Sequence, residues 1–350
     1  MKMNFKILRY VILGLVFAIT VNYNNTFAQH TNQTTSENSG VVSAKYDLVD
    51  NFREGLARVC LNQKWGFIDK NGKEVIPLKY DESERFSEGL AIVKLSDKFG
   101  FIDKNGKDVI PLKYDDVLYF KEGLARVQLN NKFGFIDKTG KEVIPLKYDF
   151  ALNFVEGLAC VKLDDKYGFI DKNGKEIIPF KYDDTWIFRE GLAPVRLNGK
   201  WGFIDKNNKE IIPFKYDRAG NFSEGLASVA LSGKHGFIDK SSKEVIPLKY
   251  DNVLNFHEGL ARVKLNNKCG FIDKTGKEII PLKYDFASYF REGFARVASS
   301  DKFGLIDKSG KEIIPLKYDD VDFFYNGVAR VKLNGKEGLV DKNGKETWYK

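Results

Sequence analysis

The chain has 350 residues, 43% of them apolar and 14% aromatic, with 56 Lys and Arg against 48 Asp and Glu. That composition excludes a disordered main body and is enough for a continuous core. A net charge of +8 is small for this length; a nucleic-acid binder would need a clustered basic face, so nucleic acid is not expected as a partner.

The first 28 residues differ from the rest. Lys2, Lys6 and Arg9 precede an apolar run over 10–21 broken only by Gly14 and Thr20, and Thr26-Phe27-Ala28 supplies small residues at a cleavage site. This is the plan of a secretory signal peptide. The run is shorter than the roughly 20 apolar residues that span a bilayer, so no transmembrane segment is expected after cleavage. No cysteine follows the cut, and lipid attachment there is not indicated. The mature protein is therefore expected to be exported, to the periplasm, the cell surface or the medium. Removing three cations leaves it at +5. Residues 29–44 are polar and aperiodic, and read as a flexible leader.

From residue 45 one 34-residue unit recurs nine times, filling 45–350 without insertion or deletion. Length alone would suggest two domains, but a fixed period of this size means a quasi-one-dimensional array. Cys60, Cys160 and Cys269 are odd in number and fall at different places in the unit. No disulfide framework is expected, and they act as small apolar residues.

In the unit 113–146, Leu124 to Leu129 alternates, with Ala125, Val127 and Leu129 on one face and Arg126 and Gln128 on the other. That is a half-buried strand, and Asn130-Asn131 after it suits a tight turn with positive φ. Lys132 to Asp137 is apolar or bare on both faces, so both are covered, and Gly134 marks a close backbone approach. A two-residue loop next would oppose Lys138 to Lys141 and Asp137 to Glu142, both like-charged. A three-residue loop with Gly140 left-handed instead pairs Asp137 with Lys141. Glu142 to Leu146 is the third strand, ended by Pro145. Tyr148 and Phe154 recur in every unit as crossover anchors, with Asp149 as a turn former. The expected fold is all-β: nine three-stranded meanders stacked in an open, elongated or superhelical array. A closed propeller-like ring is the alternative, disfavoured because about 40–45 residues per blade and four to eight blades are usual. In the last unit Glu337 takes the aromatic seat and Trp348-Tyr349 replace Ile-Pro, which suits a cap.

Lys64-Trp65-Gly66-Phe67-Ile68-Asp69 and Lys200-Trp201-Gly202-Phe203-Ile204-Asp205, with Gly-Lys-Glu, Ile-Pro and Tyr-Asp at fixed offsets, resemble the bacterial WG (KWG) repeat family over residues 45–350. His235, Cys269 and Glu337 depart from the Trp seat. The resemblance implies a tandem repeat module and no general activity. A fainter similarity, over about ten residues per unit, links KWGFIDKNGK to the aromatic hairpins of choline-binding cell-wall repeats.

No catalytic, metal or cofactor site is expected. The recurrent Asp of Asp69 and Asp137 is followed by Lys, unlike the alternating oxygen ligands of a calcium loop, and reads as a hairpin-closing ion pair. Glu54, Glu88 and Glu122 recur before Gly-Leu-Ala and read as turn residues rather than a glycosidase pair. His30, His235 and His257 have no metal spacing, and no nucleophile has a base beside it. The aromatic seats Trp65, Phe99, Phe133, Tyr167 and Trp201 share a face with core phenylalanines and read as the rim of that core. The partner-facing set is the outward side of the first strand: Arg58, Arg126, Arg262, Arg296 and Arg330, with Lys94, Lys162, Arg196, Lys264 and Lys332 two places on. Stacked units would align them into a basic stripe, interrupted at Ile92, Cys160, Pro194 and Ser228. The expected protein is a monomeric, non-catalytic binding or scaffold module for a protein or a cell-envelope glycan. A passive envelope spacer is the alternative.

Overall fold

The computed structural model describes residues 45–325 and 327–349. The expected signal peptide of 1–28 and leader of 29–44 lie outside the described residues. The chain divides into two compact units, the first ending at Asn153 and the second beginning at Phe154.

The described strands form nine antiparallel sheets of four strands each, called a to d in chain order. In the third repeat they are Asp116–Val117, Ala125–Leu129, Lys132–Ile136 and Glu142–Tyr148. The expected meander is present as strands b, c and d. Strand a is an addition: the crossover contributes two residues, with Val117 opposite Val127 and Asp116 opposite Gln128. Two residues are too few for a period-2 pattern to register.

Each turn follows from its residues. Asn130 and Asn131 have φ of 51° and 61°, the left-handed pair of a two-residue hairpin whose twist matches the strands. Between c and d, the Asp137 N–H donates to Lys141 O and the Gly140 N–H to Asp137 O, both at 3.0 Å. That is the three-residue loop with Gly140 at φ 85°. Asn208 and Ser242 hold the same conformation at φ 62° and 69°. Between a and b, Glu122 and Gly123 both have positive φ, 52° and 90°, in a hairpin closed by Lys121 and Leu124.

Strand d differs from its expectation. It does not end at Pro145 but runs to Tyr148, and its register with strand c shifts between Phe133↔Tyr148 and Phe135↔Ile144. Pro145 therefore sits in a bulge, where its missing N–H breaks no ladder bond. The bulge presses the backbone onto Gly134, where a Cβ would lie 2.6 Å from Ile144 O. The last repeat has no proline here and pairs without a shift, Gly338 to Trp348 and Val340 to Glu346.

Neighbouring repeats share cores. Phe67 and Ile76 of the first cluster with Phe86, Ala91, Val93 and Ile102 of the second. The Phe of strand c meets the crossover Phe of the next repeat with ring centroids 4.9 Å apart for Phe67–Phe86 and 4.8 Å for Phe169–Phe188. Such tilted pairs add about 0.5–1.5 kcal/mol to their burial. The loop glycine also belongs to this contact, since a Cβ on Gly106 would stand 3.3 Å from Ile76 of the preceding repeat. Where Asn208 replaces it, the Tyr182 hydroxyl donates to Asn208 Oδ1 at 2.6 Å. Tyr80 and Tyr284, which face Gly106 and Gly310, have no such partner.

Candidate functional site

Two charged rows cross the repeats, and both are consumed by the fold. The first starts at the Glu of the a–b hairpin. Glu54 accepts from the Gly89 N–H (3.1 Å) and from Lys104 Nζ (3.1 Å), both in the next repeat. The pattern returns in the second unit: Glu156 with Gly191 and Lys206, Glu190 with Gly225 and Lys240, Glu224 with Gly259 and Lys274, Glu258 with Gly293 and Lys308. Burial alone would raise these carboxyls. The bonds from Lys and Gly outweigh it, and Glu54, Glu224 and Glu258 are held below the usual range. The residue assigned to a turn is thus also a clasp between repeats. Its partners lie 35 and 50 positions away, beyond one unit, so nothing local in the sequence announces them.

The recurrent loop aspartate departs from its expectation. Asp137 Oδ1 accepts from the Thr139 hydroxyl (2.6 Å) and from the N–H groups of Thr139 (2.9 Å) and Lys141 (3.1 Å). It caps the loop backbone rather than pairing with a lysine. The ion pair belongs to the other aspartate, of Tyr-Asp: Lys132 Nζ reaches Asp149 at 2.6 Å, Lys200 Asp217 at 2.6 Å and Lys268 Asp285 at 2.6 Å. Its second oxygen takes the N–H of the b–c turn, as Asp115 does from Asn130 (2.7 Å).

The second row is the proposed basic stripe, and it is not an open outward face. Arg126 is only 2% exposed, paired with Asp116, and lies 4.9 Å over the Phe133 ring. Arg58 is likewise buried, bonded to Asp50 at 2.7 Å and to Ser83 O of the next repeat, with its guanidinium 4.3 Å over Trp65. Arg296 pairs with Asp320 of the next repeat and lies 4.1 Å over Phe303. Arg330 pairs with Asp322 at 2.9 Å. Arg262 has no carboxylate: it donates to Asn252 Oδ1 at 2.6 Å, and Cys269 replaces the ring. In the second file Lys94 and Lys162 are half-buried against Glu82 (2.9 Å) and Asp165 (2.7 Å). Arg196 is 3.9 Å from Asp184, Lys264 is half-buried and Lys332 is exposed. The alternation that put these arginines on one face was right, but strand a of the next repeat and the aromatic seat cover that face. Burial raises the carboxyls of Glu84, Asp184 and Asp322 beside this row.

The aromatic seats are accordingly capped by cations, with Lys94 5.3 Å over Phe99 and Arg196 6.0 Å over Trp201. Cys60, Cys160 and Cys269 are buried free thiols, and Cys269 Sγ accepts from Arg262 at 3.8 Å and donates to Asp285 O at 3.9 Å. Among the described residues no cluster of His, Cys, Asp or Glu is arranged to hold a metal, and no helix is long and apolar enough to cross a membrane.

A model of the WG containing repeat matches residues 41–65, 65–99, 99–133, 133–167, 167–201, 201–234, 236–269, 270–302 and 303–336. No curated protein matches the chain. Among solved structures it is similar to a crystal structure of the eukaryotic initiation factor, at TM-score 0.56 and 10% identity, over 83% of this chain and 93% of that one. It is more distantly similar to KlHsv2 with its loop 6CD replaced by a Gly-Ser linker, at TM-score 0.40 and 8% identity over 68% and 98%. PorZ, a bacterial surface component of the type-IX secretion system of Porphyromonas gingivalis, follows at 0.30 and 10% over 87% and 52%. The likeness to the first is one of fold alone, and the other two are too distant to carry an argument.

Proposed function

The chain belongs to the WG-containing repeat family, and on that premise we propose that it is an exported, non-catalytic repeat module that binds a protein or a cell-envelope glycan. One observation carries this reading. The recurrent charges are spent on bonds within and between repeats, while side chains that vary from repeat to repeat at the crossovers, such as Tyr119, Trp186 and Phe286, are exposed. A constant scaffold that presents a varied surface is suited to binding. The use of the recurrent carboxylates as turn caps and clasps supports the non-catalytic reading. Export rests on the plan of residues 1–28.

The test is capture of partners from envelope extract by the full chain. A variant has Arg196, Lys264 and Lys332 changed to Ser; Lys332 is exposed and the other two half-buried, and unchanged thermal unfolding is the folding control. Binding that is saturable and weakened by the variant or by salt supports the module. No saturable partner at all favours a passive spacer. Mature protein isolated from the envelope or medium should begin near Gln29; an intact Met1 terminus in the membrane fraction contradicts export with cleavage.

A further inference from the structure

The crossovers of the last three repeats hold a side-chain cluster that neither charged row uses. The residues just before and after the crossover phenylalanine face the neighbouring repeat. His257 stacks on Tyr289 with ring centroids 4.9 Å apart and planes at 33°. Arg291 lies 5.9 Å over Phe323, and Tyr325 occupies the next equivalent place. His257 and Arg291 are exposed, and Tyr289, Phe323 and Tyr325 half-exposed. Elsewhere in the second unit the place of Tyr289 and Phe323 is filled by Ile187, Asn221 and Asn255, and that of His257 and Arg291 by Val155, Arg189 and Ser223, with small polar residues at 221, 223 and 255. There the crossover is tied by hydrogen bonds, Ser223 Oγ to Phe256 O at 2.8 Å and Ser228 Oγ to Asn255 at 2.8 Å. Those crossovers close with small polar side chains, whereas Phe323 also packs against the core of the last repeat.

We infer that this ladder is an oligosaccharide-binding surface, resting on the reading of the chain as a binding module. The chemistry points to sugars. Each ring is held on one side by an imidazole or a guanidinium from the preceding repeat, which fixes it at low entropic cost. An aromatic face takes the C–H face of a pyranose, and donors and acceptors around it meet the hydroxyls. The rim supplies both: Arg291 and the His257 imidazole, and the carboxylate of Glu292, 72% exposed. Repetition suits a repeating ligand, since packed sheets recur about every 10 Å, a spacing that a short run of sugar rings can follow. The aromatic seats could not serve in the same way, because cations of strand b cover their faces.

The test is calorimetric titration of the full chain with soluble hexaoses of β-1,4-glucose, β-1,4-N-acetylglucosamine and α-1,4-galacturonate. The variant carries Tyr289→Asn and Phe323→Asn, residues that other repeats hold at these places, with unchanged thermal unfolding as the folding control. Saturable binding of at least one hexaose, weakened tenfold or more in the variant, is the expected result. Arg291→Ser should weaken it less. Hexaose binding that survives the double variant overturns the location. No binding of any hexaose overturns the ligand class. If a purified envelope protein then binds the full chain and loses affinity with the double variant, the ladder docks protein: this inference fails while the module reading stands.

Discussion

The two charged rows run across the same repeats and behave in opposite ways. In the glutamate row Glu54, Glu156, Glu190, Glu224 and Glu258 keep the same partners, a Gly N–H 35 positions on and a Lys 50 positions on. In the arginine row the acid moves from place to place, as Asp50, Asp116, Asp320 or Asp322, and is missing at Arg262. The first fixes the step between repeats, so one geometry must serve all. The second fills space above an aromatic ring, and several solutions fill it. Their titration differs too. The clasp carboxyls Glu54, Glu224 and Glu258 are depressed because lysine and backbone N–H groups reach them. Glu84, Asp184 and Asp322 are raised because burial outweighs their arginines.

The largest effect should come from breaking the filled space. Arg126→Ala removes a buried side chain and leaves Asp116 unpaired, and should cost about 2–3 kcal/mol in urea unfolding, below the full loss for a buried pair because Asp116 is partly exposed. Arg126→Met keeps the volume over Phe133 and should cost under about 1 kcal/mol. If the methionine variant is as unstable as the alanine one, charge rather than packing holds this row. Glu156→Ala should cost about 1 kcal/mol by releasing the Gly191 N–H and Lys206, and amide exchange at Gly191 should quicken.

How far the sequence foretold these rows depends on distance along the chain. The turns were legible because Asn130-Asn131 and Gly140 carry their backbone conformation in their own chemistry. Gly134 was legible because a glycine between two phenylalanines has few other reasons to be there. The Pro145 bulge was not: proline reads as a strand end, and only Tyr148 pairing back to Phe133 reveals that the strand continues. Strand a is too short to leave a pattern. The Glu54 clasp escapes because a perfect repeat makes every pair of positions recur, so the offset to Lys104 looks like any other. The stripe misled because alternation gives the face of Arg126 but not what lies against that face. Phe52, 42% exposed in the first repeat, shows how much cover the later crossover phenylalanines draw from the repeat before them.

Acid separates the rows more finely. The clasp carboxyls have folded pKa values below their unfolded ones, so the stability they give is complete above the ordinary carboxylate range and is lost as pH falls through the depressed values. Asp81, Asp115 and Asp319, bonded by Lys64, Lys98 and Lys302, act in the same sense. Glu84, Asp184 and Asp322 are raised, so protonation relieves them and opposes the trend. Depressed groups are the more numerous, and the urea midpoint should fall between pH 6 and about pH 3. A midpoint that rises would mean that the arginine-row acids dominate. The smallest effect belongs to Glu292. It sits in the clasp row but is exposed, and Lys342, where its clasp lysine would be, lies instead over Phe294 and Phe324. Glu292→Ala should change stability by under about 0.5 kcal/mol, in contrast with Glu156→Ala.

The central claim is that the arginines of strand b are engaged by the repeat array itself. The direct measurement is a double-mutant cycle on Arg296→Met and Asp320→Asn, two residues in successive repeats joined by a guanidinium–carboxylate bond. A coupling of about 0.5–1 kcal/mol in unfolding free energy is predicted. Additive single effects, with no coupling, would mean that Arg296 does not hold the next repeat, and would contradict the account.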